Sequence, residues 1–237
     1  MRRVKSTPVN QQINKSTTLN LMQKFPNIAD LRKNYALRSF SEADAHTSPF
    51  EQFQFWFQEA IEAQMTEPNA MTLATASTGG VPSARIVLLK GMEADGFIFY
   101  TNYDSRKGQE LMENPRAALL FCWLELERQI RIEGTVERVP SSISLQYFQS
   151  RPKNSQIGAW ASPQSQVIED RSILEDNVVA LQNKYEDATH LPLPPFWGGF
   201  KLFPTTFEFW QGRESRLHDR ICYKKIAVGW EKKRLAP

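Results

Sequence analysis

Apolar residues recur at two periods along this chain, and the change of period marks its elements. Phe53, Phe57, Ala60 and Ile61 fall on one side of a 3.6-residue helix. Ser48, Pro49 and Glu51 precede them as N-cap, first helical residue and closing acid of a capping box. Short runs rich in β-branched and aromatic residues follow: MTLATAS (71–77), a Thr-Gly-Gly turn, SARIVLLK (83–90), GFIFYT (96–101), RAALLFCW (116–123) and RQIRIEGTVERV (128–139). Strands at this spacing predict an antiparallel barrel rather than alternating βα units. Further helices are expected over 105–113, 141–151 and 170–185, the first closed by Asn114-Pro115. Strand character returns in FWGGFKLF (196–203), FEFW (207–210) and HDRICYKK (218–225). The pattern reads as mainly β with packed helices.

Composition narrows this picture. With 41% hydrophobic residues, 237 residues can bury a sizeable core. A net charge of +3 is too small to argue for a nucleic-acid partner. No apolar run reaches the length of a membrane span, and there is no apolar signal-peptide core. A soluble, cytoplasmic protein with no membrane partner is the expectation. Residues 1–28 carry Arg2, Arg3, Lys5, Lys15 and Lys24 and no acid, which partly matches an organelle transit peptide. Their amphipathic pattern is weak, so residues 1–30 read as a basic, solvated tail and 31–237 as the single folded domain. Cys122 and Cys222 both sit in apolar runs and read as reduced core thiols. No Cys/His cluster has the spacing of metal ligands, so no metal is expected.

The densest chemistry lies in EFWQGRESRLHDR (208–220), between apolar flanks. Charge there costs desolvation energy unless it meets a partner. On an extended strand Arg216, His218 and Arg220 would share one face, beside Trp210. Such a face suits a planar, anionic, aromatic ligand. The chain has no glycine-rich dinucleotide fingerprint and no P-loop, so a phosphate would need side chains to hold it. Arg85, Arg106 and Lys107 are candidates, the last two at a helix start whose N–H groups favour an anion. Arg85 and Lys90 are an odd number of residues apart, which on a strand sends them to opposite faces. Tyr147 and Arg151 would share a helix face and, with Ser155, form a phosphate cup. Each group also has a plain structural reading: a solvated Arg-Lys pair, a surface Tyr–Arg pair, a hydrogen-bonded core histidine. Trp123, Trp160 and Trp197 are read as packing.

RLHDR behind FWQG is one of several strings with a common likeness. RIVLLK (85–90), FYTNYDSRKG (99–108), ERQIRIEG (127–134), YFQSRPKNSQIGAW (147–160), FWGGF (196–200) and the terminal RLAP occur in the same order. Together they resemble the pyridoxamine 5′-phosphate oxidase family, over about residues 34–237. The resemblance implies an FMN-binding split β-barrel and a homodimer with FMN at the interface. It implies oxidation of pyridoxamine 5′-phosphate and pyridoxine 5′-phosphate to pyridoxal 5′-phosphate, hydride passing from substrate C4′ to flavin N5. O2 is then the acceptor, H2O2 forms, and the amine substrate releases ammonia. FMN contacts carry over to Arg85, Ile86, Val87, Leu88, Leu89, Lys90, Tyr100, Thr101, Arg106, Lys107, Gln129, Gln164, Ser165, Trp210 and Arg220. The substrate phosphate carries over to Lys90, Tyr147, Arg151 and Ser155, and the substrate ring to Arg216 and His218, the catalytic pair. The chain departs from the family at Arg213 and Glu214, and at Lys232 and Lys233 before RLAP. Two rivals stand beside this reading: a protein that holds FMN or pyridoxal phosphate without turnover, and a nucleic-acid binder using the tail. The complete substrate set argues against the first, the small net charge against the second.

Overall fold

Alternating apolar residues become nine strands among residues 33–237, the part of the chain that the computed structural model describes. The basic tail of residues 1–30 lies outside the described residues, and a compact unit spans Tyr35–Pro237. The strands are β1 (Ala70–Ala76), β2 (Pro82–Leu88), β3 (Gly91–Glu93), β4 (Gly96–Asn102), β5 (Arg116–Trp123), β6 (Arg128–Arg138), β7 (Trp197–Gln211), β8 (Asp219–Lys225) and β9 (Trp230–Arg234). They pair antiparallel in the order β2-β1-β5-β6-β7-β4-β3, with β8 on β7 and β9 on β8.

β7 is the spine of the sheet. One edge pairs with β6 along nearly its whole length. Its other edge pairs with β4 over Trp197–Leu202 and with β8 over Thr206–Gln211. Pro204, which has no N–H to donate, sits where one partner gives way to the other. The register with β6 shifts there too, at Glu133/Gly134. A Cβ on Gly134 would lie 2.1 Å from the Phe203 carbonyl oxygen, so only glycine lets the strands cross this bulge so closely.

The inner face carries Phe97, Phe99, Leu119, Phe121, Ile130, Ile132, Phe207 and Phe209, all fully buried. Helix α1 (Pro49–Glu62) covers them with Phe53, Trp56 and Ala60. It begins at Pro49 as expected, but the Ser48 side chain makes no cap bond, so the capping box does not form. Ile61 is exposed and Trp56 takes the inner position, packed at 4.9 Å on Phe40 and 5.3 Å on Phe209. Helix α2 (Arg106–Glu113) starts behind Ser105, whose Oγ accepts the Gly108 N–H at 3.3 Å.

Helix α3 (Ser141–Ser150) stops before its expected end. Arg151 is extended (ψ 149°), because a residue preceding proline is driven out of the helical region. Past Pro152 the chain resumes as α4 (Lys153–Ala161), a helix the sequence pattern did not announce, and α5 (Ser172–Lys184) follows. Tyr147 and Arg151 therefore do not share a helix face. Cys222 is buried as expected, but Cys122 is exposed: it lies on the outer face of β5, between inward Phe121 and Trp123. Both cysteines are free thiols. Among the described residues no helix is long and apolar enough to cross a membrane.

Candidate functional site

The start of β7 forms one wall of a cavity of about 480 Å³. Tyr100 from β4, Tyr147 from α3 and Trp197 from β7 stack there almost parallel. Tyr100 lies 3.9 Å from Tyr147 at 17° and 5.5 Å from Trp197 at 10°. Register explains the stack. Tyr100 pairs with Gly199, where a Cβ would come within 2.9 Å of the tyrosine ring. Gly199 of FWGGF thus leaves the space that the Tyr100 ring occupies.

Polar groups converge on this wall from separate elements. Lys90, Lys107, Arg151, Ser155 and Gln164 all line the cavity. The Arg151 guanidinium lies over Trp197, 5.0 Å from the ring centre. Its Nη1 is buried and has no hydrogen-bond partner. Buried donors of this kind are rare, and an arginine fork left open in a cavity fits an oxyanion. Lys107 donates to Gln164 Oε1 at 2.7 Å and to Ser105 Oγ at 3.2 Å. Burial, and then the charge of Arg85, lower its pKa to about 8.

Arg85 and Arg106 do not line the cavity; they meet instead at Glu110. Arg85 donates to the Leu73 carbonyl at 3.2 Å, to the hydroxyls of Thr75 and Ser83, and to Glu110 Oε2 at 3.2 Å. Arg106 Nε donates to Glu110 Oε1 at 2.8 Å. Burial pushes the Glu110 pKa upward, but hydrogen bonds from Ser83, Thr75, Arg106 and Arg85 outweigh it and hold the group at about 2.

Of the remaining carried-over positions, Ile86, Val87, Leu88 and Thr101 line the cavity. Leu89 packs in the core, and Ser165 sits outside in a left-handed conformation (φ 71°). Trp197 is not mere packing: it forms part of the wall, as do Asn102, Gly158, Ala159 and Ser162. The sequence offered no signal for these five, since antiparallel pairing between β4 and β7 is what brings Trp197 to Tyr100.

A second group gathers at the far end of β7. Gln129, Trp210 and Arg220 form one row across β6, β7 and β8. His218 lies 4.6 Å from the Trp210 ring, and Tyr35 meets both rings edge-on at 5.8 and 5.7 Å. Arg216, His218 and Arg220 do not alternate on one strand. β8 begins only at Asp219, and Glu214–Arg216 forms a tight turn with Ser215 at φ 55° and Arg216 at φ 62°. Non-glycine residues adopt this conformation only when their surroundings hold it. The Arg213 N–H donates to His218 Nδ1 at 3.1 Å. Asp219 anchors the base of the turn, accepting from the Phe40 N–H (3.0 Å), Arg213 (3.2 Å) and Arg234 (2.7 Å).

Burial, and then the neighbouring charge of Arg216, lower the His218 pKa. With Nδ1 accepting, a neutral His218 carries its proton on Nε2. Arg220 is held by Glu208 at 2.8 Å and by the Ala236 carbonyl at 2.7 Å, which uses the RLAP terminus as a brace. None of Gln129, Trp210, Arg216, His218 and Arg220 lines the cavity. Positions 197 and 210 are separated by roughly 40 Å of strand contour.

Residues 57–185 match a family model described as pyridoxamine 5′-phosphate oxidase. Residues 197–237 match the pyridoxine 5′-phosphate oxidase C-terminal dimerisation region. The chain is 57% identical to a pyridoxine/pyridoxamine 5′-phosphate oxidase of Gloeothece citriformis, covering 89% of this chain and 98% of that one. It is 56% identical to its namesake in Cupriavidus metallidurans, covering 89% and 99%. Among solved structures, PhzG of Burkholderia lata 383, in complex with tetrahydrophenazine-1-carboxylic acid, is 30% identical with a TM-score of 0.80, covering 86% of this chain and all (100%) of that one. A pyridoxamine 5′-phosphate oxidase-related, FMN-binding protein of Nostoc punctiforme shares the fold at a TM-score of 0.64, with 15% identity over 80% of this chain and 98% of that one. The expected split barrel is the observed fold.

Proposed function

The chain belongs to the pyridoxamine 5′-phosphate oxidase family, and from that premise we propose that it oxidises pyridoxamine and pyridoxine 5′-phosphates to pyridoxal 5′-phosphate with FMN and O2. The observation that carries this reading is the unpaired, buried Nη1 of Arg151 in an aromatic-walled cavity. Lys90, Tyr147 and Ser155 share that cavity, so a phosphate monoester there meets two cations and two hydroxyls. FMN, when bound, accepts a hydride from substrate C4′ and passes the electron pair to O2, giving hydrogen peroxide.

The chain's own residues bind and align. Lys107, with Arg85 and Arg106 behind it, supplies positive charge for the FMN phosphate, and Gln164 orients the lysine. Arg216 and the Nε2–H of His218 hold the substrate ring, which is a positioning task. Gln129, Trp210 and Arg220 offer a flat, donor-rich surface to the flavin. In our reading these five residues complete the cavity of a partner copy in a homodimer. The match of residues 197–237 to a dimerisation region supports this, since four of the five fall within it.

The test is a visible spectrum of the purified protein without oxygen, before and after pyridoxamine 5′-phosphate is added. A flavin band that bleaches and returns with air is the expected result. A band that stays would make this a flavin carrier, and absence of any band after FMN is supplied would remove the cofactor.

A further inference from the structure

Glu110 is a buried carboxylate with 6% exposure that no role described so far uses directly. It sits on α2 and ties that helix to two strands. Its Oε2 accepts from Thr75 on β1, and from Ser83 and Arg85 on β2. Its Oε1 accepts from Arg106, one turn earlier on the same helix. A buried carboxylate between two arginines is costly to desolvate and seldom adds net stability. What such a group does well is hold long, rotamer-rich side chains in one arrangement.

We propose that Glu110 is the positioning residue of the FMN phosphate site: its carboxylate orients Arg85 and Arg106 beside Lys107 before the phosphate arrives. This rests on the FMN reading above. Three cations with one carboxylate leave a net charge of +2, which matches a phosphate dianion. The opposing effect is plain. A carboxylate also repels phosphate, so if its field outweighed its ordering role, removing it would tighten binding.

The experiment titrates apoprotein with FMN and with riboflavin, which differ only by the phosphate, and follows flavin fluorescence. The ratio of the two dissociation constants isolates the phosphate contribution. In Glu110→Gln, which keeps the shape and removes the charge, the preference for FMN is expected to fall about tenfold or more, the scale of a charge-assisted bond pair. Riboflavin affinity should stay within about twofold, because the aromatic and ring contacts are elsewhere. Glu110→Asp keeps the charge but cannot span both arginines, and should lose part of the same preference. An unchanged or increased preference in both variants overturns the proposal. So does an equal loss for both ligands, the mark of a merely structural residue. If the wild-type protein itself shows no preference for FMN, the phosphate site falls, and the assignment with it.

Discussion

Trp197 and Trp210 lie on one strand in opposite surroundings. Around Trp197 a single chain builds a walled cavity, with rings stacked and Lys107 braced by Gln164 and Ser105. Around Trp210, Arg216 and His218 lie outside that cavity, on and just after a turn with two left-handed residues. The first region gathers Lys90, Lys107 and Arg151 around one cavity. The second packs Trp210, His218 and Tyr35 against one another and ties Arg220 to Glu208 and Ala236. In the reading proposed above, these are halves of two different sites, and β7 joins them.

The sharpest test of this contrast is to break each half separately. Arg216→Ala should lower kcat by about 100-fold or more while flavin stays bound, since it removes alignment and not the cofactor pocket. Steady-state rates with the flavin absorbance of the purified protein check this. At substrate concentrations near the wild-type KM, where Arg151→Ala is nearly inactive, its co-expression with Arg216→Ala should then restore about a quarter of wild-type activity, because mixed dimers carry one intact site. No restoration would mean that both halves serve one chain.

A smaller effect separates binding from turnover. Arg151→Ala should raise KM for the phosphorylated substrate by about 10- to 100-fold and change kcat much less. Initial-rate curves decide it. Smaller again is the pH dependence of Lys107. Its pKa is lowered to about 8, and a bound phosphate favours its charged form. FMN affinity should therefore fall as pH rises through about 8 and beyond, and Lys107→Arg should abolish that fall. Titrations of apoprotein at several pH values check it.

The smallest effect concerns Glu110 and acid. Its folded pKa is depressed from 4.5 to about 2, so its contribution to stability is full above pH 4.5 and is lost as pH falls toward 2. The Tm advantage of wild type over Glu110→Gln should shrink across that window, as thermal melts would show.

Much of the fold was legible because strands and helix starts answer to local rules. Alternating residues such as Ile130 and Ile132 face the core as periodicity predicts, and α2 falls within one residue of the helix expected over 105–113. Local rules also explain two departures in hindsight. Pro152 ends α3 at Arg151, and alternation along β5 turns Cys122 outward. The Ser48 capping box does not form, although the helix still starts at Pro49 as expected.

The site divides along the same line. By itself the sequence determined which residue types exist to bind phosphate and rings, and in what order, because those are properties of short segments. Only the tertiary structure decided that Trp197 joins Tyr100, that Glu110 ties Arg85 to Arg106, and that Arg216 leaves the strand for a left-handed turn. Each depends on partners far along the chain: β7 beside β4, α2 over β1 and β2, and Phe40 and Arg234 meeting at Asp219. Such contacts arise from the packing of the whole sheet, and no window of neighbouring residues carries their energy.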